Sequence, residues 1–257
     1  MNTDALVARI HEFGETSAVV SLLTAECGCV RVMAKGAKRL KNSFLGPLDK
    51  GVLYRVRLGR RSGDGLVPLH SSRARETFSR LRSDPARFAA ANVILEVASL
   101  LLRDNEPQPE LFRLSVFSLK VIDRAPEPRL DTGVVLFLAR AVGLSGHGPV
   151  LDACAACGEL VGDGDDALLS PARGGLLHRA CGRGEPASRP LSADGLSLLR
   201  HVSSVPAAEV LESSAPPRAA REVQGLLAGW LEYVLECRIR SLRPLRYGEV
   251  PHSRPAG

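Results

Sequence analysis

Between residues 5 and 72, the chain falls into short apolar-rich, β-compatible runs, each closed by a turn signal. The runs cover 5–10, 17–23, 30–34, 53–58 and 66–70. Gly14, Gly28, Gly36, Gly46-Pro47, Gly51 and Ser62-Gly63-Asp64-Gly65 punctuate them. Short β-compatible runs bounded by such residues predict strands. Five strands within so short a stretch suit a small closed barrel, and an OB-fold is the natural candidate. An SH3-like barrel satisfies the same strand count.

The pattern changes after Arg75. Asp84-Pro85 predicts a helix start, with Phe88, Ala91, Leu95, Ala98 and Leu102 at helical spacing on its apolar side. A second helix carries Leu111, Leu114, Phe117, Leu119 and Ile122 and stops at Ala125-Pro126-Glu127-Pro128. A third runs over 130–142, stopped by Gly143 and Gly146. Helices resume after the Gly- and Pro-bearing linker 184–190: Ser192 is placed to cap one, and Pro216-Pro217 precedes a longer one with Val223, Leu226, Leu227, Trp230, Leu231, Val234 and Leu235 as its apolar face. The domain boundaries expected are 1–78 for the barrel, 79–149 and 186–246 for two parts of a helical domain, and 150–185 for a small inserted module. The Pro-bearing tail 247–257 reads as disordered. The fold class is α+β and multidomain.

The inserted stretch holds the clearest chemical signal. Cys154-x2-Cys157 and His178-x2-Cys181 are two knuckles whose spacing suits one tetrahedral Zn2+ with three thiolates and an imidazole. Gly158 and Gly174-Gly175 lie where tight turns are needed. Four protein ligands leave no open position for substrate, so the expected role of the metal is structural. A redox pair or two buried thiols at Cys154 and Cys157 is the plainer reading of the first knuckle. The acidic turn 163–166 lacks the later glutamate of a calcium loop and reads as a solvated hairpin tip.

Composition adds an ordinary core and an anionic partner. The 257 residues are 45% hydrophobic and 24% charged, with a net charge of +6. The pI is near 9.2. The cations are concentrated: between positions 31 and 61 stand Arg31, Lys35, Lys38, Arg39, Lys41, Lys50, Arg55, Arg57, Arg60 and Arg61, against the single acid Asp49. On a barrel face these would follow a phosphate backbone, with Arg31, Lys35, Lys38, Arg39, Lys41, Arg55 and Arg57 as the expected contacts. The bland alternative is a solvated basic face. Only Phe44 and Tyr54 offer aromatic rings there, which favours backbone contact over base stacking. The sparse cysteines suggest a reduced, cytoplasmic protein. No secretory signal or membrane-length apolar run is apparent.

Enzyme signatures are missing. His11-Glu12 does not continue to H-E-x-x-H, there is no P-loop, and the pairing of H-x-E with P-C-x-x-C is absent. A zinc hydrolase with three ligands and a water, using Glu159 as base, is one rival. An RNA-binding module with a zinc ribbon is another.

Several segments together resemble the RecO family of bacterial recombination mediators. They are Leu6 to Ile10 followed by Gly14-Glu15-Thr16-Ser17; Ala34-Lys35-Gly36-Ala37-Lys38-Arg39, with Ser43 and Gly46-Pro47-Leu48; Gly143-Leu144; 149–154; Ser170-Pro171 with Gly174-Gly175-Leu176; and Arg240-Ser241-Leu242. The resemblance spans about residues 4 to 246, in order. It implies an N-terminal OB-fold, a helical domain and an inserted zinc module. It also implies binding of single- and double-stranded DNA, annealing of complementary strands, and help in loading RecA onto strands coated by single-stranded-DNA-binding protein. RecR and the acidic C-terminal tail of the coating protein are the implied partners, and a cytoplasmic, nucleoid-associated location follows. One departure stands out: His178 occupies a position where the family usually has cysteine.

Overall fold

The computed structural model describes residues 1–35, 48–61, 65–212 and 215–242 of the chain. Five strands, β1 (Asn2–Phe13), β2 (Ser17–Thr24), β3 (Gly28–Ala34), β4 (Leu53–Leu58) and β5 (Val67–Glu76), close a barrel in the order β1-β2-β3-β5-β4. Closure comes from β1 pairing antiparallel with both β2 and β4, and from a short parallel contact of β3 with β5. This is the five-stranded OB arrangement, and it settles the choice against an SH3-like barrel. Alternation explains the filling: Tyr54, Val56 and Leu58 point in from β4 while Arg55 and Arg57 point out. β1 departs from alternation because it is covered on both sides. Ala5 and Val7 enter the barrel core, whereas Leu6 and Ala8 join the core of the helices. β5 runs to Glu76, well past the stretch its apolar pattern predicts.

The helices are α1 (Ser79–Ser83), α2 (Pro85–Leu101), α3 (Pro109–Arg124), α4 (Leu130–Leu144), α5 (Ala193–Ser204), α6 (Ala207–Glu212) and α7 (Pro217–Val234). The caps are those the sequence marks. The Asp84 carboxylate accepts from the Ala86 and Arg87 amides, and Ser192 accepts from the Gly195 amide at 3.1 Å. α4 is buried nearly all round, from Val134 to Ala139 without interruption, and packs against α2, α3, α5 and α7. The guanidinium of buried Arg87 donates to the Ile122 and Asp123 carbonyls at the end of α3 and to Asp84, so one side chain joins two helices.

A second sheet follows α4. Its strands are β6 (Val150–Cys154), β7 (Ala167–Ser170), β8 (Gly175–His178) and β9 (Arg189–Leu191), in the order β6-β8-β7-β9. β9 lies in the segment that composition marks as linker, so the sheet reaches past residue 185. Three residues holding a proline carry no readable period, and Pro190 is tolerated on an edge strand. Leu169, Leu176, Leu177 and Leu191 of this sheet belong to the same apolar core as the helices. Arg200 of α5 fastens the junction. It donates to the Leu151 carbonyl at 3.0 and 2.7 Å and to the Val161 carbonyl at 2.7 Å, and it pairs with Asp163. The acidic turn is therefore partly engaged rather than merely solvated, and Asp166 likewise meets Arg179 at 3.0 Å.

Candidate metal centre and basic surface

The two knuckles are far apart in sequence, and the parallel pairing of β6 with β8 brings them together. Cys154 ends β6 and His178 ends β8. The chain then turns through Gly158 and through the residues after His178, closed by Gly158 N–H to the Cys154 carbonyl (2.8 Å) and Gly182 N–H to the His178 carbonyl (3.0 Å). Gly158 and Gly174 both take positive φ, +79° and +74°, as the sequence anticipates. The ligand atoms of Cys154, Cys157, His178 and Cys181 all lie within 4.8 Å of one another, and the group could hold a metal ion.

The side chains around the group are oriented for that purpose. His178 Nδ1 faces Cys157 Sγ at 3.4 Å, and His178 Nε2 is 3.3 Å from the Leu160 carbonyl. With Nε2–H donating to that carbonyl, the Nδ1 lone pair is directed at the sulfurs, the tautomer a metal-bound imidazole needs. The His178 amide donates to Cys154 Sγ at 3.4 Å. Burial of Cys154 opposes ionisation, but hydrogen bonds from the Cys157, His178 and Ala156 amides prevail and hold its thiol down at about 6. Desolvation and the neighbouring sulfurs of Cys157 and Cys154 push the Cys181 thiol up to about 11. Amide hydrogen bonds thus favour one thiolate while the neighbouring sulfurs oppose another, and a cation among them would relieve that repulsion. Three thiolates and a neutral imidazole are the donor set of a structural zinc site.

The expected DNA-contacting residues fall into two groups. Arg31 on β3 is level with Ser21 on β2, which is level with Arg9 on β1. Paired positions point to the same side of a sheet, so Arg9 and Arg31 share one outer row about 10 Å apart, two strand spacings. Lys35 is exposed just past the end of β3. Arg31 and Lys35 make no ion pair among the described residues. Lys38, Arg39 and Lys41 lie outside the described residues. Arg55 and Arg57 stand on the opposite flank, where Arg55 is level with Arg73 of β5. Asp4 binds Arg55 at 3.3 Å and Arg75 at 2.9 Å, which partly neutralises that flank. Arg9, Arg73 and Arg75 are cations of the barrel surface that the density of charge between 31 and 61 does not single out. The signal for the last two is the continuation of alternation through Ser71-Ser72-Arg73-Ala74-Arg75.

A closed OB barrel with its own core, a helical body that takes Leu6, Ala8 and Leu23 of the barrel into its core, and an inserted module whose three cysteines and one histidine could hold a metal define the class. The family model described as "Recombination protein O N terminal" matches residues 1–78, and "Recombination protein O C terminal" matches 82–243. A relative from Anaeromyxobacter sp. (strain K), named DNA repair protein RecO, is 38% identical over 240 residues, covering 93% of this chain and 92% of its own length. Proteins of the same name from Rhodopirellula baltica (32% identical, 79% of this chain and 74% of theirs) and Nocardioides sp. (30% identical, 96% and 98%) are similar too. The chain belongs to the RecO family of DNA repair proteins. No helix among the described residues is long and apolar enough to cross a membrane.

Proposed function

We propose that the chain is a recombination mediator that binds single- and double-stranded DNA, anneals complementary strands and helps load RecA on strands coated by single-stranded-DNA-binding protein. The observation carrying this reading is a match to DNA repair proteins along 93% of the chain. The chemistry agrees with it. Arg9, Arg31 and Lys35 make no ion pair among the described residues and present cations on a barrel whose outer face suits a polyanion. Two strands of DNA repel each other, and a cationic surface that holds both backbones lowers that repulsion while leaving base edges free to pair. This requires no catalytic residue, and the function is accessory rather than enzymatic.

Zn2+ is the metal we assign to Cys154, Cys157, His178 and Cys181. Its contribution is structural: charge neutralisation among the sulfurs and cross-linking of the two knuckles. The four protein ligands argue against the hydrolase alternative, since a tetrahedral ion so held has no position for water. RecR and the acidic tail of the coating protein are the partners the family reading brings. A groove of about 380 Å3 at the end of α3 supports a surface for the tail: Phe117, Val121 and Leu211 offer an apolar floor, and Lys120, Arg124 and Arg129 surround it with positive charge. The deciding experiment is annealing of complementary strands precoated with single-stranded-DNA-binding protein, with and without this chain. Acceleration is expected, and an unchanged annealing rate refutes the proposal. A parallel competition between single-stranded DNA and RNA tests the RNA-binding alternative.

A further inference from the structure

Where the barrel meets α2, a cleft of about 660 Å3 opens between Arg9, His11 and Lys50 on one side and Pro85 to Ser99 on the other, with Arg240 and Ser241 at one end. Phe88, Asn92 and Glu96 recur every fourth residue and line the cleft as one stripe. Helical spacing predicts Phe88 as core, yet it is 45% exposed. Ala89 and Ser99 beside it are small, so the stripe borders open space instead of a packed neighbour. The Asn92 side-chain oxygen is buried and has no hydrogen-bond partner among the described residues, and the Ser241 hydroxyl at the end of the cleft shares that state.

The charge of the cleft is positive. Glu96 is its only acid among the described residues, and both its oxygens are occupied by the Arg240 amide (3.1 Å) and the Ser241 amide (2.7 Å). Arg9 and Lys50 form no ion pair with any described residue. Burial, and after it the nearby Arg9 charge, push the Lys50 ammonium below its ordinary value, with the Glu96 carboxylate opposing them. Arg9 is also the end of the outer row that leads through Ser21 to Arg31, so the cleft continues the cationic surface of the barrel.

We infer that this cleft is a nucleotide-binding site for single-stranded nucleic acid, in which Phe88 stacks one base, the Asn92 amide bonds its edge, and Arg9, Lys50 and Arg240 hold the flanking phosphates. The inference rests on the DNA-binding role proposed above and adds to it a single stacking position off the barrel face. An aromatic ring beside an amide, with three cations to one carboxylate, suits a nucleotide better than an acidic peptide, which brings no flat ring for Phe88 in each residue.

The test uses the full-length chain and an oligothymidylate carrying 5-iodouracil. Binding is read by anisotropy and contact by photo-crosslinking followed by peptide mapping. The expected result is a crosslink to Phe88, and an affinity about 5-fold or more weaker for Phe88→Ala, the lower end of one stacked base. Phe88→Tyr, which keeps the ring, should bind as the parent does. An unchanged affinity in Phe88→Ala, with crosslinks confined to barrel peptides, overturns the cleft assignment and leaves the proposed function standing. If the unaltered chain binds no single-stranded DNA, both fall. A cleft that takes an acidic peptide, with DNA affinity insensitive to Phe88→Ala, belongs to a protein partner and also overturns it.

Discussion

Gly28 couples the barrel to the helices, and replacing it by alanine probes that junction. It sits in the β2–β3 turn at φ +64°, where a residue with a Cβ is strained by roughly 1–2 kcal/mol. Strain is the smaller part of the argument. A Cβ built there would lie 1.9 Å from the Arg103 carbonyl oxygen and 2.9 Å from the Glu106 carbonyl oxygen, both backbone atoms of the α2–α3 turn. Neither can rotate away, so the turn must retreat. Two hydrogen bonds cross that contact: Cys29 N–H to the Arg103 carbonyl (3.3 Å) and Asn105 N–H to the Cys27 carbonyl (3.0 Å). At about 0.5–1.5 kcal/mol net for each bond, their loss together with the strain destabilises the protein by about 2–5 kcal/mol.

Gly14 supplies the control. It has the same φ of +64°, in the β1–β2 turn, but a Cβ there meets nothing within 4 Å. Gly14→Ala should therefore cost only the strain, about 1–2 kcal/mol. Urea unfolding followed by the fluorescence of Trp230, the lone tryptophan, and by far-ultraviolet circular dichroism gives both values. Limited proteolysis of Gly28→Ala should show cleavage near residues 103–106 under conditions where the parent resists. If Gly28→Ala falls within about 0.5 kcal/mol of Gly14→Ala, the barrel and the α2–α3 turn are not rigidly docked, and the reasoning is wrong.

Three further outcomes are expected. His178→Ala should lose the metal, with zinc per chain by elemental analysis falling from about one to a small fraction, whereas His178→Cys retains it; equal zinc in His178→Ala removes the imidazole from the ligand set. Single-stranded-DNA affinity should fall with salt at a log–log slope of roughly −3 to −4 if about 4–6 phosphates are contacted, and Arg31→Glu with Lys35→Glu should flatten it by about 1.4. An unchanged slope in that double variant rules out this part of the barrel. Glu96 is shifted upward by burial, but the hydrogen bonds from Ser241 and Arg240 win and hold its carboxyl below the ordinary range. Its stabilisation is thus present above the ordinary glutamate value, near 4.3, and disappears as pH falls through the depressed folded value. Glu96→Gln should be the less stable protein at neutral pH, with the gap narrowing in acid denaturation curves; a constant gap contradicts the assignment.

The strands and most helices are legible because their signals are local. The β-compatible runs 17–23 and 53–58, bounded by turn signals, mark β2 and β4, and Asp84-Pro85 and Ser192 mark helix starts that the structure caps as anticipated. The metal ligands are legible for the same reason, since each knuckle is a four-residue motif. What brings the knuckles together is not: the parallel contact of β6 with β8 is a long-range pairing that spacing alone does not specify. Phe88 exposes the limit of helical period. The rule detects a stripe of apolar residues, but whether the stripe meets a neighbour depends on what the barrel places opposite it, and there it places Arg9 and Lys50. Arg55 shows the same limit for charge. Sequence density counts it among the phosphate contacts, while the pairing of β1 with β4 sets Asp4 beside it.

The module that carries the Cys3His cluster completes the core of the helices. Cys154, Leu169, Leu176 and Leu191 are buried together with Leu196, Leu199 and Val202 of α5 and with α7. Loss of the metal would free the knuckles and, with them, the Leu151 and Val161 carbonyls that Arg200 grips. α4 packs on both α5 and α2, the helix that walls the cleft at Phe88, while the barrel interior forms a core of its own. On this reasoning, a chain stripped of metal should lose stability in the 150–205 segment first, and hydrogen exchange should record protection falling there before it falls in β1 to β5.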